Sequence, residues 1–166
     1  FLFFKLFISS KRFDHNTHIK RLTIFEILIE LRSVSEKDWD FILKIRNEQE
    51  FRSNFYNQDE ISKEEHYEYL RSSSNDPNFF NWIICDNSKD VGYIRIFNED
   101  ISIMVSPYFH GKGIGTKALE LVETEAKKNG IKKLVGRVKI SNESSKKIFE
   151  QNGYDLLMYW YEKDIA

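Results

Sequence analysis

Residues 101–115 read Ile101-Ser102-Ile103-Met104-Val105-Ser106-Pro107-Tyr108-Phe109-His110-Gly111-Lys112-Gly113-Ile114-Gly115, and the fold turns on this stretch. Ile101, Ile103 and Val105 alternate with Ser102, Met104 and Ser106, a strand pattern that Pro107 ends. Three glycines at every second position then let the backbone come close to a ligand. A helix starting near Gly113 adds unpaired N–H groups and the positive end of its dipole. Strand, glycine loop and helix together make a cradle for an anion.

Gly-x-Gly-x-Gly alone also fits a dinucleotide turn, another phosphate loop or a plain mobile loop. A dinucleotide fingerprint needs Gly-x-Gly-x-x-Gly, and its third glycine is absent because Thr116 and Lys117 follow Gly115. A nucleoside-triphosphate loop needs Gly-Lys-Ser/Thr, and Gly111-Lys112-Gly113 lacks the hydroxyl. What the stretch resembles is the acetyl-CoA pyrophosphate loop of the GNAT acetyltransferases, Arg/Gln-x-x-Gly-x-Gly/Ala after a strand ending in Val-x-Pro. His110 stands where that family usually has Arg or Gln. A second stretch, from Asn142-Glu143-Ser144-Ser145 through Ile148-Phe149 to Gly153-Tyr154, is similar to the family's Asn-x-x-Ala/Ser-x-x-Leu/Ile-Tyr/Phe-x-x-x-Gly-Phe/Tyr. The two signatures occur in order, about one helix and one strand apart.

The rest of the chain is compatible with one sizeable core: 166 residues, 41% hydrophobic and 15% aromatic. With 25 basic against 26 acidic residues, overall charge supplies no nucleic-acid footprint. The lone Cys85 cannot make an internal disulfide and points to a reducing compartment, hence a cytoplasmic protein. No run approaches the roughly 20 apolar residues of a transmembrane segment. Residues 1–25 read as an N-terminal extension, apolar from Phe1 to Ile8 and then polar and basic, either a packed extra element or a mobile arm. Asp14, His15 and His18 read as a solvated linker, and no metal is expected.

Within residues 26–166, alternation predicts a first strand from Glu26 to Arg32. A helix carries Trp39, Ile42 and Leu43 and ends near residues 47–50, and the Ser62–Glu65 capping box opens a second helix through Leu70. Between them, residues 51–60 read as a substrate-facing loop. A hairpin over 79–97 leads into the central strand. The helix from Gly113 carries Ile114, Ala118, Leu121, Val122 and Ala126, and stops at Lys127, Lys128 and Gly130. A strand over 133–140, an Asn142-capped helix to residue 152 and an aromatic strand over 154–162 complete the order. From Ile27 to Tyr161 this order resembles the GNAT fold: α+β, a mixed, mostly antiparallel central sheet of about six strands flanked by helices. The family commonly adds one more strand. Either the sheet is a strand short, or the N-terminal segment or the second subunit of a homodimer completes it.

The resemblance implies an N-acetyltransferase that moves an acetyl group from acetyl-CoA, its co-substrate, directly to a primary amine. Backbone N–H groups of Gly111, Lys112, Gly113, Ile114, Gly115 and Thr116 would bind the pyrophosphate, with Lys112 and His110 adding charge. Met104 and Val105 would pair with the pantetheine amides, Asn142 would hydrogen-bond the same arm, and Phe149 would pack beside the cofactor. Much of the family has a proton-donating Tyr at the position of Phe149, which has no hydroxyl. Tyr154, Tyr108, Ser144 or bulk water would have to replace it. For the general base, Asp100 occupies the start of the central strand where many relatives carry Glu, with Glu99 beside it, and His66 titrates near neutrality without special burial.

Ile45-Arg46-Asn47, followed by Ser62-x-Glu64-Glu65-His66, resembles the branch that acetylates nucleotide-linked amino sugars. The ribosomal-protein N-terminal acetyltransferases share part of this look. Arg46 can take a phosphate or a carboxylate, or pair with Glu48 or Glu50; Asn47 and His66 would contact the acceptor, and Phe55, Tyr56 and Tyr67 can stack on a base or sugar. From a different class comes an acyl-CoA-binding sensor without turnover, toward which His110 and Phe149 lean.

Overall fold

The computed structural model describes residues 28–163 and 165. The first two residues of the predicted first strand, the N-terminal extension and the Asp14, His15 and His18 group lie outside the described residues. β1 (Ile29–Ser33), β2 (Phe79–Asp86), β3 (Lys89–Phe97), β4 (Asp100–Val105) and β5 (Val135–Gly136) form one five-stranded sheet in the order β1-β2-β3-β4-β5. The first three pairings are antiparallel and β4 with β5 is parallel. Among the described residues five α-helices accompany it: α1 (Trp39–Asn47), α2 (Gln49–Arg52), α3 (Lys63–Ser73), α4 (Ile114–Lys128) and α5 (Glu143–Gln151). None of the described helices is long and apolar enough to cross a membrane.

Alternation along the strands divides the core between the two faces of the sheet. Ile84, Ile94, Ile96 and Ile101 meet Ala118, Leu119 and Val122 of α4 and Phe149 of α5 on one face. Ile83, Cys85, Tyr93 and Met104 meet Trp39, Ile42 and Ile45 of α1 and Leu70 of α3 on the other. Both expected helix starts carry their caps. Ser62 accepts from the Glu65 N–H while Glu65 reaches back, and Ser35 and Asp38 form a second box at the 3-10 turn that leads into α1. Two tight turns, at Asn87-Ser88 and Asn98-Glu99, place non-glycine residues at positive φ and join β2 to β3 and β3 to β4.

Two sequence expectations are corrected at the C-terminal side of the sheet. The strand expected over 133–140 shrinks to Val135–Gly136, and the aromatic stretch 154–162 forms no strand. β propensity needs a neighbouring ladder to act on, and two paired residues of β5 offer almost none. Tyr154 packs into the core, while Leu156, Leu157, Met158, Tyr159, Trp160 and Tyr161 are exposed. The described sheet therefore has five strands instead of about six.

Candidate active site

The two edges of β4 differ, and the site follows from that difference. Along one edge β4 pairs with β3 from Phe97↔Asp100 to Gly92↔Val105. Gly92 permits this closeness, because a Cβ there would lie 2.4 Å from the Met104 carbonyl oxygen. Along the other edge β4 meets β5 only at Asp100↔Val135 and Ile101↔Gly136. The strands then part and leave Ser102–Val105, about 13 Å of strand at ~3.3 Å per residue, with an open side. Ser106 N–H donates to Val91 at 2.8 Å and Val135 N–H donates to Glu99 at 2.9 Å. Alternation therefore turns the backbone of Met104 toward β3 and that of Ile103 and Val105 toward the gap. Of the pair expected to meet an extended ligand arm, Val105 turns its backbone groups to the gap and Met104 turns its own to β3, so Ile103 and not Met104 shares the open edge with Val105.

The open side runs into the glycine loop. Pro107–Phe109 make a single 3-10 turn, His110 is extended, and Gly111 and Gly113 adopt φ of 73° and 74°. Nothing lies within 4 Å of where a Cβ would stand on either glycine, which leaves room for a ligand against bare backbone. Lys117 N–H donates to the Gly113 carbonyl at 3.0 Å, so the N–H groups of Ile114, Gly115 and Thr116 precede the first helical bond. Thr116 turns its hydroxyl to Gln151 at 3.5 Å, and Gly115 seats α4 on Ile148 of α5. The ammonium groups of Lys112 and Lys89 lie 4.8 and 5.0 Å from the Phe109 ring centre, on the same loop. Free N–H groups, a positive helix end and two lysines fit a pyrophosphate. His110 turns away from the cradle: its Nε2 faces the Val105 carbonyl and its Nδ1 lies 3.3 Å from Glu50.

Where β4 and β5 part, Asp100 forms an ion pair with Arg137. Gly136 is covered by Phe149, whose ring would lie 2.5 Å from an added Cβ and meets Tyr154 edge-on at 4.9 Å. The Tyr154 hydroxyl is buried without a hydrogen-bond partner. Burial first, then the charge of Glu123, pushes its pKa up, so the phenol keeps its proton. Asn142 caps α5 through Oδ1, which accepts from Ser145 N–H at 3.0 Å. His66 is placed elsewhere. It is buried between α1 and α3, with Nε2 donating to the Trp39 carbonyl at 3.0 Å, and burial lowers its pKa against that bond and the charge of Asp40. The ring so held packs α3 against α1 and is not brought to the open edge of β4.

On the α1 side of the sheet, Arg46 stacks 4.0 Å over Phe55 and donates to the Asn57 carbonyl at 2.9 Å, without pairing with Glu48 or Glu50. Both ends of the Asn47 amide are engaged by Ile61, donating to its carbonyl at 2.8 Å and accepting its N–H at 3.0 Å. Asn47 therefore pins the segment that leads into α3, with one amide N–H and one carbonyl lone pair left over. Tyr56 is exposed and its hydroxyl bonds Glu162. The sequence does not single out Arg52, Arg137 or Lys139, and it offers Glu50 as a partner for Arg46 where the structure sets it against His110. Arg137 had a signal, since a cation two residues past Val135, the register partner of Asp100, can reach that carboxylate; the other three pair only through the fold. A concavity of about 600 Å³ on the outer face of α3, lined by Lys63, Tyr67 and Arg71, shares no residue with the open edge.

A family model described as an acetyltransferase (GNAT) domain matches residues 29–155. Among solved structures, a domain from Methanocaldococcus jannaschii is 27% identical with a TM-score of 0.71, over 78% of this chain and 90% of that one. Spermidine N-acetyltransferase from Vibrio cholerae, in complex with CoA and spermine, is 19% identical with a TM-score of 0.68, over 75% of this chain and 79% of that one. Ribosomal-protein-alanine N-acetyltransferase from Brucella melitensis is 22% identical with a TM-score of 0.65, over 76% of this chain and 83% of that one. No curated protein matches the sequence.

Proposed function

The chain belongs to the GNAT acetyltransferase family, and from that premise we propose that it moves the acetyl group of acetyl-CoA to a primary amine carried by a nucleotide-linked amino sugar. The observation that carries the reading is the continuity of the open β4 edge with the glycine loop. An extended arm anchored by its pyrophosphate at the start of α4 can run along Ile103 and Val105 and bring its thioester to the point where β4 and β5 meet. Backbone N–H groups on that edge then face the carbonyl where negative charge develops. Asp100 stands at the same point, on the face covered by α1 and α3, and takes the proton of the attacking amine. Arg137 orients the Asp100 carboxylate through their ion pair. Phe149 keeps water from the arm by packing on Gly136, and Tyr154, which holds its proton, is the phenol nearest that packing.

The acceptor class rests on the resemblance of Ile45-Arg46-Asn47 and Ser62-x-Glu64-Glu65-His66 to the amino-sugar branch. The ribosomal-protein alanine and the spermidine for which the Brucella and Vibrio relatives are named are the comparators. Thiol release from acetyl-CoA is measured with UDP-amino sugars, N-terminal peptides and spermidine. Turnover confined to the amino sugars supports the reading. Turnover on peptides alone reassigns the acceptor, and CoA binding without turnover on any amine overturns the transferase reading in favour of a sensor.

A further inference from the structure

Four buried side-chain polar atoms have no hydrogen-bond partner among the described residues, and two of them, Arg46 Nη1 and Arg52 Nε, belong to neighbouring guanidiniums. Arg46 sits on α1 and Arg52 on α2, and burial followed by the charge of Arg52 lowers the Arg46 pKa. A third cation, Lys139, donates to the Ser53 carbonyl at 2.9 Å and so joins the same corner. Little opposes this charge. Glu60 approaches Arg52 only to 3.6 Å and is largely exposed, Glu50 is engaged by His110, and Glu162 by the Tyr56 hydroxyl. What covers the guanidiniums is backbone: the Asn57 carbonyl accepts from Arg46 at 2.9 Å and the Gln58 carbonyl from Arg52 at 3.5 Å. Apart from the exposed Glu60 carboxylate beside Arg52, these charged donors meet neutral carbonyls or nothing, and they are short of an anion.

We propose that Arg46 and Arg52 form a phosphate subsite for the acceptor, with Lys139 at its edge, and that the phosphate oxygens replace the Asn57 and Gln58 carbonyls when it binds. That the occupant is the acceptor rests on the acetyltransferase reading; the subsite itself does not. Three cations match a diphosphate better than a single carboxylate, and the Phe55 ring beneath Arg46 holds that guanidinium flat.

The test saturates the full chain with CoA, which fills the glycine loop, and then titrates UDP or glutamate by calorimetry. UDP is expected to bind and glutamate is not. In Arg52→Gln and Arg46→Gln the Kd for UDP rises at least tenfold, Arg52→Lys falls between, and the Kd for CoA stays within twofold as the sign of an intact fold. If Arg46→Gln loses CoA binding, the two Arg52 variants decide. No heat with UDP, a UDP Kd unmoved by the Arg52 substitutions, or binding of glutamate in place of UDP overturns the proposal. UDP binding without thiol release on any amine keeps the subsite and removes the transferase reading, whereas spermidine turnover with no UDP binding does the reverse.

Discussion

His110 Nε2 lies 2.6 Å from the carbonyl oxygen of Val105, so an imidazole occupies the last acceptor on the open edge of β4. Glu50 and the edge of the Phe51 ring hold the imidazole from the other side. An acyl-CoA arm that pairs with this edge must first turn His110 out. His110→Ala is therefore expected to tighten CoA binding about fivefold, the equivalent of a ~1 kcal/mol net hydrogen bond no longer broken. Calorimetric titration of CoA reads this directly, and weaker binding would assign the ring a part in holding the cofactor.

Asp100 is the proposed base, and its carboxylate is met by Arg137 at the strand junction. Asp100→Asn keeps a side chain of the same shape that can still meet Arg137 but takes no proton. The expected outcome is a kcat lower by about 10²–10⁴, the usual worth of a positioned general base, with the CoA affinity unchanged. Steady-state thiol release with an accepted amine gives kcat, and a parallel CoA titration separates chemistry from binding. A kcat within about threefold of the parent, a far smaller loss than a base should show, would move the base to another group.

The glycine loop, the capped helix starts and the two-faced core are legible in the sequence because each depends on residues close in the chain. Pro107 ends the strand, Gly113 takes the left-handed conformation that starts α4, and Ser62 finds Glu65 one turn on. Side-chain direction is a different matter. Asn47 reads as a free amide next to Arg46, and only the return of the chain at Ile61 occupies it. Arg46 and Arg52 lie on two helices broken at Glu48, so no single helical period brings them together. The last two strands fail for the same reason, since an aromatic alternating stretch becomes a strand only where an edge awaits it.

Phe149 and Gly136 form a packing pair that the Gly136 side alone enforces. An added Cβ would lie 2.5 to 3.1 Å from three atoms of the ring, and Phe149 is buried with Tyr154 at its edge. Gly136→Ala is expected to destabilise the fold by about 1–3 kcal/mol, the range for overpacking a closed site. Phe149→Leu in the same chain removes the colliding ring edge. Together the two cost less than their sum. Urea unfolding of the parent, both single variants and the double variant measures that coupling, and additive costs would mean that β5 shifts instead of the ring.

His66 separates a packing histidine from a catalytic one by its pH dependence. Burial holds its pKa below the ordinary value of about 6.5, with the Trp39 carbonyl and Asp40 opposing. As pH falls through about 6.5 the unfolded chain binds a proton before the folded one does, so stability declines with falling pH. The decline ends once the folded form also protonates, and its slope cannot exceed about 1.4 kcal/mol per pH unit for one proton. Stability is thus full above the unfolded pKa and is lost toward acid. In His66→Gln the amide can still donate to the Trp39 carbonyl but binds no proton, so the urea midpoint should vary less between pH 7 and pH 5.5. The acid limb of kcat is the decisive companion measurement. A buried imidazole donating to a backbone carbonyl has no path to the open edge of β4, so that limb should persist in His66→Gln. Its disappearance would return His66 to the reaction and take the base role away from Asp100.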